Sequence, residues 1–198
     1  MRWDDADWQA WRPEEAAQRL ETLDLPWYVA AGWAIDLFVG YERREHEDLE
    51  IAAPARAFPQ IRALLDDLEF YAVGDGEVAA VAESQERFDA THQAWGLDPA
   101  AFEWRIDVFR EPSDGDDWIC RRHAEIRLPY DELIERTADG IPYVRPEVAL
   151  LFKAKAAREK DEDDLNDVLP LLAPSRRALL RDWIALVHPG HAWLSRLD

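Results

Sequence analysis

Hydrophobic positions follow two different periods along this chain of 198 residues. Apolar residues that alternate with polar ones predict strands, whereas apolar residues that recur every three or four positions predict helices. Strands are predicted at residues 27–31, 46–51, 69–73, 78–82, 103–110, 119–128 and 141–144. Helices are predicted at residues 13–23, 34–38, 56–68, 130–135, 146–154, 161–172 and 174–187. The last three helices predict a C-terminal bundle, and residues 83–98 carry neither pattern.

Composition restricts the kind of protein more than it identifies one. The chain is 48% hydrophobic and 33% charged, which predicts a globular fold with one domain, or a core with a small appendage. No apolar run reaches 18 residues, so no transmembrane helix is expected. Residues 1–5 lack an apolar signal region, and the single Cys120 excludes an internal disulfide. We expect a cytoplasmic protein.

The formal net charge of -19 argues against a general affinity for duplex nucleic acid, which needs a basic surface. It fits a cationic partner such as a polyamine or an aminosugar. The alternative is an acidic surface that only keeps the protein soluble. Lysine occurs at three positions only, Lys153, Lys155 and Lys160, and a lysine ammonium is a common ligand of phosphate.

Acidic residues at three positions suggest a metal site. In a strand over residues 46–51, Asp48 and Glu50 point to one face while their apolar neighbours point to the core. Two carboxylates so placed repel each other and favour a divalent cation between them. If the strand over residues 103–110 pairs beside them, Asp107 completes a triad. The alternative for all three is a solvated acidic strand edge.

A glycine turn precedes these acids. Ala31-Gly32-Trp33 follows the first predicted strand, and a glycine there lets backbone N–H groups approach a phosphate. The order of strand, glycine turn, helix and acidic strand resembles the nucleotidyltransferase superfamily. More narrowly, residues 32–40 (GWAIDLFVG), followed by Arg44-x-His46-x-Asp48-x-Glu50, resemble the aminoglycoside and lincosamide nucleotidyltransferases. The DGIP segment at residues 139–142 and the lysine-rich block at residues 153–165 resemble the same group.

This resemblance implies an α+β fold: a nucleotidyltransferase-type mixed β-sheet flanked by helices as residues 1–145, and a helical part as residues 146–198. It implies transfer of a nucleoside monophosphate, with ATP as the expected donor, to a hydroxyl of a small and possibly cationic acceptor such as an aminoglycoside. Two Mg²⁺ ions would be held by Asp48, Glu50 and Asp107, with Asp107 also a candidate general base. The nucleotide-binding residues implied are Gly32, Trp33, Arg44, His46 and either Lys153 or Lys155.

The sequence departs from the group at two positions, with Ala31 in place of a first glycine and Glu50 in place of an aspartate. Two alternatives therefore stay open. One is a toxin-like nucleotidyltransferase that acts on tRNA or protein, for which Arg121, Arg122 and Arg127 form the candidate basic groove. The other is a non-catalytic nucleotide-binding module of the same fold. A monomer or a homodimer is expected.

Overall fold

A mixed β-sheet organises the computed structural model, which describes residues 6–197. The strands are β1 (Asp7–Trp8), β2 (Tyr28–Val29), β3 (Glu50–Pro54), β4 (Glu69–Gly74), β5 (Glu77–Ala80), β6 (Gln93–Asp98), β7 (Glu103–Glu111), β8 (Ser113–Asp114), β9 (Asp117–Ile119), β10 (Arg127–Pro129), β11 (Ile134–Arg136) and β12 (Pro142–Val144). The main sheet has the order β11-β12-β2-β3-β7-β6-β4-β5, with β1 beside β7. β12 pairs with β2, and β7 with both β3 and β1, in parallel. The predicted mixed sheet is therefore confirmed.

Helices flank this sheet and complete the chain. They are α1 (Pro13–Arg19), α2 (Ala31–Val39), α3 (Phe58–Leu64), α4 (Gln85–Ala90), α5 (Tyr130–Leu133), α6 (Pro146–Lys153), α7 (Glu159–Val168) and α8 (Pro174–Val187). Proline occupies the first position of α1, α6 and α8, where its missing N–H has no helical partner to lose. Gly40 ends α2 in a left-handed conformation, with φ 94°, which glycine adopts readily.

Two predicted strands differ from the structure, and one segment without a prediction is structured. The strand predicted over residues 46–51 begins only at Glu50, because His46 turns its side chain inward to a carboxylate of α2. The strand predicted over residues 119–128 is two short strands, β9 and β10, joined by a loop. Residues 83–98, which carried no clear pattern, contain α4 and the inner strand β6.

The C-terminal helices pack directly on the sheet-bearing part. α2 lies against α6 and α7, and α6 lies against α8. One hydrophobic cluster includes Ile35 of α2, Ile51 of β3, Leu150 of α6 and Leu165 of α7. The boundary predicted after residue 145 falls between β12 and α6, and a division into two domains stays a prediction. No helix within residues 6–197 is long and apolar enough to cross a membrane.

Candidate active site

The turn from β2 into α2 brings backbone against two side chains of the candidate site. A Cβ atom at Gly32 would lie 2.6 Å from Arg44 Nη2 and 2.7 Å from the ring of His46. Only glycine therefore allows both side chains to approach the start of the helix. The preceding Ala31 adopts a left-handed φ of 50°, a conformation that costs an L-residue about 1–2 kcal/mol. The chain therefore accommodates Ala31 in place of a first glycine, with some strain in its backbone.

His46 is fixed by contacts inside the protein. Its Nε2 lies 2.7 Å from Asp36 Oδ2, and its ring stacks on Trp33 with 4.4 Å between the centroids. Burial alone would raise the pKa of Asp36, but the hydrogen bond from His46 and the charge of Arg43 together lower it. The guanidinium of Arg12 lies over the same Trp33 ring, 4.9 Å from its centroid. Trp33 therefore already contacts His46 and Arg12 within the protein itself.

Arg43 connects this region to α7. Its Nε lies 2.7 Å from Asp36 Oδ1, its Nη2 lies 2.5 Å from Asp164 Oδ1, and its Nη1 lies 2.7 Å from Asp167 Oδ2. The Arg43 side chain is 7% exposed and those of Asp36 and Asp164 are 2% and 1% exposed. A buried charge is stable only when it is paired and hydrogen-bonded. Arg43 therefore stabilises two buried carboxylates on separate helices at once.

The three candidate acids meet where β3 and β7 run parallel. Glu50 lies directly opposite Asp107 in the register, and the N–H of Asp107 donates to the carbonyl of Leu49 at 2.8 Å. Leu49 and Ile51 are fully buried, whereas Asp48 and Glu50 line a cavity. The predicted pairing of the two strands is confirmed. The role of the acids as metal ligands stays a prediction.

The carboxylates repel one another. Burial and the charge of Asp48 raise the pKa of Glu50 to about 7. Burial and the charge of Glu50 raise the pKa of Asp107 well above its ordinary value. Gln93 Nε2 donates to Asp107 Oδ2, while Asp107 Oδ1 is buried with no hydrogen-bond partner within residues 6–197.

The acids of the site offer oxygen ligands for a divalent cation. In the described part of the chain, no three His, Cys, Asp or Glu side chains already stand in a metal-binding arrangement, and Asp107 is buried rather than on the cavity wall. The chemistry of the donors nevertheless fits Mg²⁺, because the acids supply hard oxygen ligands. Burial first and a neighbouring carboxylate second raise the pKa values of Glu50 and Asp107, and a bound cation would relieve this repulsion. The residues present therefore suit the predicted ion.

The cavity itself measures about 510 Å³, within the usual size of small-molecule sites. It is lined by residues of β2, β3 and β7, of α6, and of the segment between α6 and α7. Five acidic side chains line it, at Glu45, Glu47, Asp48, Glu50 and Glu111. Six basic side chains also line it, at Arg44, Arg121, Arg122, Lys153, Arg158 and Lys160. The cavity can therefore hold a ligand that carries both anionic groups and a bound cation.

The structure separates the predicted binding residues into two groups. Gly32, Trp33, Arg44, His46 and Lys153 all line the cavity. Lys155 is exposed and does not line it. Lys153 is buried, with its Nζ 2.7 Å from Asp164 Oδ2 and 3.5 Å from Asp161 Oδ1. Of the two lysines that the sequence left open, only Lys153 therefore belongs to the cavity.

The three arginines proposed for the toxin-like alternative do not all line the cavity. Arg121 and Arg122 face into the cavity, where Arg121 Nη1 lies 2.6 Å from Glu111 Oε1. Arg122 Nη1 donates to the carbonyl oxygen of Phe152 at 2.8 Å. Arg127 lies elsewhere, with its Nη1 3.6 Å from Asp114. The toxin-like alternative stays a prediction.

Sequence reasoning missed Gln93, Asp36 and Arg43. An acid within the otherwise apolar segment 34–39 was a signal that Asp36 is buried and paired, because a buried carboxylate needs partners. No comparable signal marks Gln93, which lies in the segment without a predicted element. Arg43 stands among other charged residues in a loop, so its three long-range partners could not be read locally.

Comparison with solved structures identifies the fold of the chain. The lincomycin-bound lincosamide antibiotic adenylyltransferase LnuA is 16% identical, with a TM-score of 0.54, and covers 78% of this chain and 92% of its own. The solution structure of the antibiotic-resistance factor ANT(2'')-Ia is 14% identical, with a TM-score of 0.57, covering 90% and 94%. ANT(2'')-Ia in complex with adenylyl-2''-tobramycin is 12% identical, with a TM-score of 0.58, covering 87% and 95%. These likenesses show the nucleotidyltransferase fold.

The sequence itself identifies the family. The profile of the aminoglycoside-2''-adenylyltransferase family matches residues 14–117, which is more than half of the chain. The chain belongs to this family and is an enzyme of the nucleotidyltransferase type. No curated protein matches it significantly. The predicted resemblance to the aminoglycoside and lincosamide group is confirmed.

Proposed function

We propose that the protein transfers a nucleoside monophosphate, with ATP as the donor, to a hydroxyl of a small cationic acceptor of the aminoglycoside type. The observation that carries this proposal is the direct parallel pairing of Glu50 with Asp107, with Asp48 beside them, at a cavity that six basic side chains also line. Phosphoryl-type transfer needs mainly positioning and charge neutralisation. Such a cavity supplies both without a protein nucleophile.

In the proposed reaction, the acceptor hydroxyl oxygen forms a bond to the α-phosphorus while the bond from that phosphorus to the β-phosphate oxygen breaks. Pyrophosphate leaves, and the hydroxyl proton passes to Asp107, the candidate general base. Mg²⁺ held by Asp48, Glu50 and Asp107 would neutralise phosphate charge and lower the pKa of the hydroxyl. Membership of the family implies such a divalent metal, and the number of ions, two, is part of our proposal.

The chain supports a cationic acceptor in two ways. Its net charge of -19 attracts a polycation over long range. Glu45 and Glu47 are exposed and line the cavity beside Asp48, so they can pair with ammonium groups of an acceptor whose hydroxyl points at the carboxylates. Tobramycin and lincomycin, named with the structural neighbours, are the first acceptors to try. A cytoplasmic location and a monomeric or dimeric state stay predictions from the sequence.

The test begins with nucleotide binding. Calorimetry with a non-hydrolysable ATP analogue, with and without Mg²⁺, compares the parent protein with Asp48→Asn. Asp131→Asn on α5, where the side chain is exposed, is the control for the same loss of charge. We expect Mg²⁺-dependent binding that Asp48→Asn abolishes and Asp131→Asn retains. Binding that ignores both Mg²⁺ and Asp48 would exclude the proposed metal site.

Turnover is then measured separately. The protein is incubated with ATP, Mg²⁺ and tobramycin or lincomycin, and pyrophosphate release is followed together with the mass of the acceptor. Release that requires an acceptor, with an adenylylated product, is the expected result. Nucleotide binding with no product from any acceptor would favour the non-catalytic module instead.

A further inference from the structure

The basic side chains around the cavity differ in what they already bind. Arg44 donates to the carbonyl of Glu45, Arg121 pairs with Glu111, and Arg122 donates to the carbonyls at the end of α6. Lys153 and Arg158 pair with the buried acids of α7. Within residues 6–197, Lys160 is the basic residue of this cavity with no hydrogen bond and no ion pair to protein.

Lys153 is poorly suited to follow a moving phosphate. Its side chain is 8% exposed, and its Nζ lies between Asp164 Oδ2 and Asp161 Oδ1. If this ammonium moved toward a ligand, two fully buried carboxylates would lose part of the positive charge that balances them. Leaving buried carboxylates unpaired is strongly unfavourable. Its contacts join the end of α6 to α7. Lys153 thus acts as a positioning residue that fixes the start of α7 beside the cavity.

Lys160 has the opposite properties. It is exposed and is the second residue of α7, at the positive end of a ten-residue helix. It lines the same cavity as Glu50, and its charge acts on that carboxylate. A lysine ammonium on a flexible stem can follow the distal phosphates of a bound nucleotide at little cost when it has no protein partner to leave. Arg158, the preceding cap of the helix, is instead held by Asp161 at 3.0 Å.

We propose that Lys160, and not Lys153 or Lys155, supplies the ammonium that contacts the β- and γ-phosphates of the bound nucleoside triphosphate. This inference rests on the proposed function, because it assumes that the cavity takes a nucleotide. It assigns different roles to the three lysines of the chain. Lys160 binds the ligand, Lys153 positions α7, and Lys155 lies outside the site.

The experiment compares Lys160→Met with Lys155→Met. Both lysines are exposed and without a protein partner in the described part of the chain, and they lie five positions apart, but only Lys160 lines the cavity. Affinities for AMP and for the non-hydrolysable ATP analogue are measured by calorimetry with Mg²⁺. Lys160→Met is expected to weaken binding of the ATP analogue about 10- to 100-fold, the usual range for a lost hydrogen bond to a charged group. It should leave AMP binding unchanged, and Lys155→Met should leave both unchanged.

Further readouts separate a ligand contact from an indirect effect. Lys160→Arg should restore much of the affinity for the ATP analogue, and the thermal unfolding temperature of Lys160→Met should equal that of the parent. Parent-like binding of the ATP analogue by Lys160→Met overturns the inference and leaves the proposed function intact. An equal loss in both lysine variants, or an equal loss of AMP and ATP binding, also overturns it. If the parent protein binds no nucleotide, the proposed function fails and the inference with it.

Discussion

Replacing Glu50 by glutamine is expected to make the metal-free protein more stable at pH 8. Glu50 lies opposite Asp107 on the neighbouring strand and close to Asp48. Its charged form is therefore unfavourable in the folded protein, through burial first and through the charge of Asp48 second, and its pKa is raised from 4.5 to about 7. Glutamine keeps nearly the same shape and carries no charge. It therefore removes the free-energy cost of the buried negative charge, and it also removes a proposed ligand of the metal.

The sign follows from the two pKa values. The folded state holds the proton of Glu50 up to about pH 7, whereas the unfolded state loses it near pH 4.5. Folding stability contributed by this group therefore falls as the pH rises from 4.5 to 7 and is constant above that. The difference corresponds to about 3 kcal/mol at pH 8. This value is a ceiling, since Glu50 keeps some contact with solvent that screens its charge.

Urea unfolding in EDTA at pH 5 and pH 8 measures this effect. Glu50→Gln should exceed the parent in free energy of unfolding by up to about 3 kcal/mol at pH 8 and lose most of that gain at pH 5. Glu47→Gln, an exposed glutamate on the same cavity, is the control and should show neither effect. Adding Mg²⁺ should stabilise the parent and leave Glu50→Gln unchanged. A stability difference of the same size at both pH values would refute the reasoning.

Two further substitutions test the supports of the site. Ala31→Gly should raise the free energy of unfolding by about 0.5–1 kcal/mol. The reason is that relief of the left-handed strain at φ 50° exceeds the entropic cost of the freedom that glycine adds to the unfolded chain. Urea unfolding checks this prediction, and a destabilised variant would contradict it. Arg43→Met should lower the free energy of unfolding by about 3–5 kcal/mol, since Asp36 and Asp164 lose a buried partner. Arg12→Met removes a mostly exposed ion pair and a contact with the ring of Trp33, and it should cost under about 2 kcal/mol. Equal losses for both arginines would contradict the role of Arg43.

The order of the motifs and the faces of their side chains were determined by the sequence alone. Alternation of apolar and polar residues placed Leu49 and Ile51 in the core and Glu50 on the cavity side, because side chains of a strand point to opposite faces. Pro146 and Pro174 marked the starts of two helices for an equally local reason. The strand predicted around Asp48 began four residues too early, since its first residues serve a side-chain contact to α2 instead of the sheet.

Tertiary structure alone decided the partners of those side chains. That Asp107 stands opposite Glu50 depends on which strands become neighbours, and the period of a strand carries no information about that. The three lysines, Lys153, Lys155 and Lys160, have the same chemistry in the sequence. Only the folding of α7 against α6 buries the first between two carboxylates and leaves the second outside the cavity. It places the third at the cavity, with no partner among residues 6–197. The reason is physical: local periodicity sets the direction in which a side chain points, whereas its charge partners come from segments far away in the chain.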